Sequence, residues 1–258
     1  MVEIRRKSGL FGLKQGLKYI MMKMVPTYHG TLVRLHNGYW VDTMIVYEKE
    51  QMAPSKVGKF PNLDSMYNMI IRDTREHMER VGRYSAFFFQ VLQQVEPEWM
   101  ESEFGADFHL VSETFFRLHD IGRVYVPLTI LNKVETLTPE EMQVIKDHTI
   151  YAKDAVAAIY DFPYHGKLKE QFLGIALYHH EHYDGTGYPE GRRGNDIPLG
   201  ARICALADVF DGITSWKPYK TKQTSRQKAG EIILSEAGKQ FDPKLAEIFV
   251  KAIPYLPN

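Results

Sequence analysis

From about residue 66 to near the C-terminus, apolar residues recur at the three-to-four spacing that lines one face of a helix. Two helix starts are explicit. Thr138-Pro139-Glu140-Glu141 combines a capping hydroxyl, a proline at the first helical position and a Glu placed to complete a capping box. That helix runs on through Met142, Val144, Ile145 and His148. Asp242-Pro243 marks the other start, with Leu245, Ile248 and Phe249 on one face. Residues 182–200 break the pattern with Gly185, Gly187, Gly191, Gly194, Gly200, Pro189 and Pro198. Unstructured stretches this long are uncommon inside compact domains and are often functional.

The N-terminal part follows another period. Residues 31–35 and 40–47 are rich in β-branched and aromatic side chains, and Asn37-Gly38 between them favours a hairpin turn. Residues 51–65 carry Pro54, Gly58 and Pro61 with little periodicity and read as a linker. Ahead of the hairpin, Leu10, Phe11, Leu13, Leu17, Ile20, Met21 and Met24 sit among Lys14, Lys18 and Lys23 at roughly helical spacing. That stretch fits a helix packed on its own domain, and also a membrane-surface or partner-binding helix. The expectation is a mainly α chain with a small N-terminal module, residues 1–65, containing a β-hairpin, and a helical domain over residues 66–258.

Composition narrows the function classes. Formal net charge is zero, so no global field holds DNA or RNA and bulk nucleic-acid binding is not expected. The single cysteine, Cys204, lies in an apolar run, excludes an internal disulfide and reads as a buried inert thiol. No uncharged stretch approaches the roughly 20 residues that span a bilayer, and no secretory pattern opens the chain. A cytoplasmic protein is expected.

The chemistry lies in histidines and carboxylates. Asp73 and His77 are four apart on a helical stretch, with Arg80 three further on. His119-Asp120 closes the apolar segment Phe115-Phe116-Arg117-Leu118. His148 lies on the capped helix, and His179-His180 is a second adjacent pair followed by Glu181. Asp208 and Asp211 share a helix face. A lone helical histidine is usually a surface or satisfied core residue. Here His77, His119, His179 and His180 all sit in apolar or aromatic segments, where an unpaired polar group is costly. Mixed imidazole and carboxylate donors suit Fe, Mn or Zn rather than Ca or Mg. The donors are too many for one tetrahedral ion, so two or more ions bridged by Asp120 are expected. Such a centre activates water and neutralises charge on a phosphoryl group during displacement.

The ordered motifs resemble the HD-GYP domain family. His119-Asp120-Ile121-Gly122-Arg123 is similar to its HD motif. The run from His179 to Pro189 is similar to its HHE-through-GYP motif. Residues 194–203, Ala207-Asp208-Val209-Phe210-Asp211, residues 215–220 and Phe241-Asp242-Pro243 continue the series. The resemblance covers roughly residues 66–254. It implies an HD-type helical bundle, two or three divalent ions, usually iron or manganese, and hydrolysis of cyclic di-GMP or cyclic GMP-AMP.

By motif position, the metal ligands fall on His77, His119, Asp120, His148, His179, His180 and Asp208. Asp73 stands where trinuclear members have Glu, one methylene longer. Arg123 replaces the usual Lys; it keeps the positive charge but cannot act as a base. Lys217, in place of an Arg, and Lys220 resemble a phosphate-contacting pair. Asp211 is expected to orient the nucleophile or accept a proton. Tyr188-Pro189 forms a rigid lip beside the substrate, a docking surface for a diguanylate cyclase domain, or a stiff turn that buttresses His179 and His180. Glu181 and Asp184 are expected to support the ligand histidines, while His109, His165 and His182 are expected at the surface. A homodimer is left open. The alternatives to a cyclic di-GMP phosphodiesterase are another phosphate-ester substrate and a non-catalytic interaction module.

Overall fold

The structure is a computed structural model that describes residues 59–133, 135–215 and 224–257, together with the strands Met24–Thr27, Gly30–Arg34 and Trp40–Asp42. The chain divides into two compact units. One comprises residues 1–57 and 125–145, the other residues 58–124 and 146–258.

The first unit contains a three-stranded antiparallel sheet of β1 (Met24–Thr27), β2 (Gly30–Arg34) and β3 (Trp40–Asp42). The pairing of β2 with β3, Leu32 opposite Asp42 and Arg34 opposite Trp40, is the expected hairpin. Asn37-Gly38 and residues 1–23 lie outside the described residues. β1 is an addition: Met24, read from its spacing as the end of a helix, pairs with Val33. The unit also holds the short α5 (Leu128–Leu131) and most of α6 (Pro139–Lys146). The capping box at the start of α6 is formed. Thr138 N donates to Glu141 Oε2 at 2.8 Å and Glu141 N donates to Thr138 Oγ1 at 3.3 Å.

The second unit is helical. Its described helices are α1 (Leu63–Tyr67), α2 (Arg72–Val95), α3 (Pro97–Phe104), α4 (Ser112–Arg117), α7 (His148–Ala158), α8 (Gly166–Tyr178), α9 (Leu199–Thr214), α10 (Arg226–Ser235) and α11 (Pro243–Ala252). A two-stranded parallel sheet pairs β4 (Phe60–Asn62) with β5 (Ile159–Asp161). The linker expected over residues 51–65 is corrected there: Phe60 is buried and β4 is a strand. Three residues are too few to show a period, and the partner strand is remote in sequence.

The long α2 is the spine. It buries Met78, Val81, Phe88, Phe89 and Leu92, and packs against α4 and α9. Aromatic rings fill the space around it. Phe89 meets Phe104 edge-on at 5.1 Å, and Phe88 meets Phe249 at 4.9 Å. Burying each such ring contributes about 1.5–3 kcal/mol. α9 is buried along most of its length, Cys204 included, so the cysteine is an interior residue as expected. α2 and α9 thereby present the faces carrying His77 and Asp208-to-Asp211 to each other.

Candidate metal centre

Seven histidine and aspartate positions meet where the ends of α4 and α8 face α2, α7 and α9. His119 and His179 have the same local origin. Each follows the C-terminus of a helix, where the last carbonyls have no partner within the helix. His119 Nδ1 donates to the carbonyl of Phe116 at 2.9 Å. His179 Nδ1 donates to the carbonyls of Ala176 at 3.1 Å and Ile175 at 3.2 Å. A carbonyl only accepts, so Nδ1 carries the proton in both rings and Nε2 keeps its lone pair. The helix ends fix both tautomers and aim both Nε2 atoms inward.

Asp120 lies at the middle, almost wholly buried. Its Oδ1 is 3.0 Å from His148 Nε2 and 3.7 Å from His179 Nε2. Its Oδ2 is 3.5 Å from His119 Nε2 and 3.9 Å from His77 Nε2. The two oxygens therefore face two different histidine sets. One set of donor atoms close enough to share an ion is Asp120, His148, His179 and His180; the other is His77, His119 and Asp120. Asp208 reaches both, with Oδ1 3.0 Å from His77 Nε2 and Oδ2 4.0 Å from His180 Nδ1.

These donors fit divalent cations. Ligands held about 2.1 Å from an ion stand roughly 3.0–3.4 Å apart at right-angled or tetrahedral corners, within the spread found here. His119 Nε2 and both Asp120 oxygens are buried and accept or donate no hydrogen bond. Leaving such groups unpaired in an interior is expensive, and a cation removes the cost. The charges agree. Burial raises the Asp120 carboxyl, but Arg123, His119 and His148 outweigh it and hold it well below the ordinary carboxylate range. Asp208 is likewise lowered, its burial overcome by His77. Burial depresses His148 and, more strongly, His180, and so favours the neutral form of both rings.

His77 differs. Burial lowers it, yet hydrogen bonds to Asp208 and Asp211 prevail and push it up to about 9. Its Nδ1 donates to Asp211 Oδ2 at 2.7 Å. Asp211 is buried and saturated: Arg80 donates to both of its oxygens, at 2.6 and 3.1 Å, and Ser215 Oγ donates at 2.8 Å. The Asp211 carboxylate stands behind His77 as its support. Arg80 was visible in the sequence beside His77, but its partner on α9 was not.

The other expected residues divide. Arg123 Nε lies 2.8 Å from Asp120 Oδ2. Gly122 next to it is needed sterically: a Cβ there would stand 1.9 Å from the His148 carbonyl oxygen. Asp73 is exposed in the first turn of α2 and belongs to neither donor set. Lys217 and Lys220 lie outside the described residues. His109 and His165 are exposed, and the His182 ring meets Thr186 on the outer loop.

The loop after α8 is ordered by its own hydrogen bonds. Glu181, expected to support a ligand histidine, instead accepts from the backbone N–H of Glu190 at 2.7 Å and of Arg192 at 3.0 Å. Asp184 turns back onto Thr186. Both expectations are corrected: the carboxylates hold loop backbone, because that backbone offers donors, while His119 and His179 already donate to helix-end carbonyls. Gly187 lets the chain pass over itself, since a Cβ would stand 2.2 Å from His182 N. Arg202, buried on α9, anchors the far side through Ile197 O, Asn195 and Asp242. The loop lays Tyr188 flat on His180, ring centres 4.9 Å apart. Tyr188 precedes Pro189 through a cis bond. Lys146 Nζ lies 5.1 Å over the other part of this assembly, the Tyr188 ring. Burial and the charges of Asp120 and Asp208 raise the Tyr188 phenol against the opposing pull of nearby Arg123, so it stays a hydroxyl.

Known proteins share this pattern. The HD domain family matches residues 110–245. A cyclic di-GMP phosphodiesterase of Thermotoga maritima is 34% identical over 179 residues, covering 69% of this chain and 44% of that protein. A 3'3'-cGAMP-specific phosphodiesterase of Vibrio cholerae is 31% identical over 190 residues, covering 74% of this chain and 33% of that protein. The chain thus spans well under two thirds of these curated relatives. A solved HDG"Y"P protein of Bdellovibrio bacteriovorus shares the fold, with a TM-score of 0.50 at 18% identity over 70% of this chain and 52% of its own. With its two linked donor sets and its ordered motifs, the chain belongs to the HD domain family and is of the HD-GYP type.

Proposed function

We propose that this chain is a metal-dependent phosphodiesterase that opens a cyclic dinucleotide, with cyclic di-GMP as the first substrate to test. The observation that carries the reading is Asp120, whose two oxygens face separate histidine sets. In this reading His148, His179, His180 and Asp120 hold one ion, and His77, His119 and Asp120 hold a second, with Asp208 beside both. The donor chemistry suits iron or manganese. When bound, such ions supply an activated water and neutralise phosphoryl charge.

The chain's own residues do the rest. Asp211, fixed by Arg80 and Ser215, keeps His77 Nε2 pointed inward. Arg123 adds a permanent positive charge beside Asp120, where substrate phosphate arrives. Tyr188 and Pro189 line the approach, and the Tyr188 ring stacks on His180. Lys217 and Lys220 contribute further phosphate contacts. Asp73 joins only if a third ion is present. The product is the linear dinucleotide, cut again to mononucleotides in a second round. The site of action is the cytoplasm, with a diguanylate cyclase domain docking on the 182–200 loop. No described helix is long and apolar enough to cross a membrane.

The test is direct. Iron- or manganese-loaded protein is incubated with cyclic di-GMP and with cyclic GMP-AMP, singly and in competition, and products are separated by chromatography. Conversion to the linear dinucleotide supports the reading and the ratio fixes the substrate. Full metal content with no cleavage of either substrate rejects it in favour of an interaction module.

A further inference from the structure

We infer that Lys146 is a substrate-binding residue of this site, taking the phosphate of the cyclic dinucleotide that is not being cleaved. The inference rests on the phosphodiesterase reading above. A cyclic dinucleotide carries two phosphodiesters. The Asp120-centred donor sets can engage one, and the other needs cations of its own, to which Lys146 adds beside the Lys217 and Lys220 of that reading.

Arg123 is poorly placed to serve it alone, because its Nε is committed to Asp120 Oδ2 at 2.8 Å. Lys146 is uncommitted. Among the described residues its ammonium makes no ion pair, whereas Lys133, Lys228, Lys239 and Lys244 each hold a carboxylate. Its position is fixed from the backbone. Lys146 ends α6, its carbonyl accepts from Thr149 Oγ1 at 3.0 Å, and two residues later comes His148, 3.0 Å from Asp120. The half-buried side chain reaches over Tyr188, with Nζ 5.1 Å from the ring centre. That ring in turn stacks on His180. Arg123 lies within electrostatic range of the same tyrosine. One tyrosine thus carries a free cation over its ring, has a committed cation nearby, and packs on a donor of the metal centre. A contact between an ammonium and an aromatic face is weak and leaves the ammonium's protons available to an anion.

Lys146→Ala, Lys146→Arg and the wild type are compared as metal-loaded protein on two substrates. Cyclic di-GMP has two phosphates; bis(4-nitrophenyl) phosphate has one. Metal content is measured on each sample. The expected result for Lys146→Ala is a KM for cyclic di-GMP raised roughly 10- to 100-fold, the range for losing a hydrogen bond to a charged group. Its kcat, its metal content and its activity on the one-phosphate ester stay within about 2-fold of wild type, and Lys146→Arg restores most of the KM. An unchanged KM for cyclic di-GMP overturns the inference. So does an equal loss on both substrates, or a loss of metal, which would make Lys146 a support for His148. A wild type that cleaves neither substrate rejects the phosphodiesterase reading, and the inference falls with it.

Discussion

At the scale of residues, Asp120 and Asp211 look alike in sequence and do opposite work. Asp120 has two buried oxygens and no hydrogen bond. Asp211 is filled by His77, Arg80 and Ser215. Asp120, with Arg123 as a charge partner but no hydrogen bond, keeps acceptor capacity for a metal ion; saturated Asp211 holds its neighbour. Asp211→Asn therefore weakens metal binding without removing a ligand, by about 10- to 100-fold, the usual cost of losing a partner behind a metal-binding histidine. Competition titration against a chelating dye measures it, and an unaltered affinity would show that His77 needs no such support. Gly122→Ala tests packing rather than chemistry. Its methyl would collide with the His148 carbonyl backbone, which cannot swing aside as a side chain can. A loss of about 1–3 kcal/mol or more is expected in urea unfolding.

At the scale of elements, two helix C-termini and one loop make the site. α4 and α8 each spend a terminal carbonyl on a histidine Nδ1, so both adjacent pairs, His119-Asp120 and His179-His180, were readable as local motifs. The loop after α8 was visible as an excess of glycine and proline and as a family motif, but its internal hydrogen bonds were not. Its order comes from Glu181, which gathers two backbone N–H groups from residues nine and eleven positions on. Glu181→Ala leaves both donors unpaired at a part-buried spot. We expect about 1–3 kcal/mol of lost stability and faster proteolytic cleavage within residues 182–196, with Tyr188 released from His180. Cleavage at the wild-type rate would mean that Arg202 and the contacts to residues 239 and 240 suffice to hold the loop.

At the scale of the whole molecule, metal and fold are thermodynamically linked. A folded-state ligand at 100 times its dissociation constant adds about 2.7 kcal/mol. In a domain of this size that corresponds to a Tm shift of roughly 5–10 °C. Adding a chelator to metal-loaded protein should lower Tm by this amount, and re-addition of iron or manganese should restore it. A melt indifferent to chelation would mean that the histidine and aspartate sets hold no ion in the folded protein.

The sequence by itself determined the helical class, the capped helix starts, the hairpin and the candidate ligands, because these depend on near neighbours: a cap within three residues, a face within four, a motif within five. The tertiary structure decided what needs distant residues to meet. It paired β4 with β5, put Asp211 of α9 behind His77 of α2, gave Glu181 to the loop instead of to a histidine, and left Asp73 in solvent. It also divided the oxygens of Asp120 between two histidine sets. A carboxylate's residue type is written in the chain; which of its oxygens remains unpaired is settled only when helices from remote positions close around it.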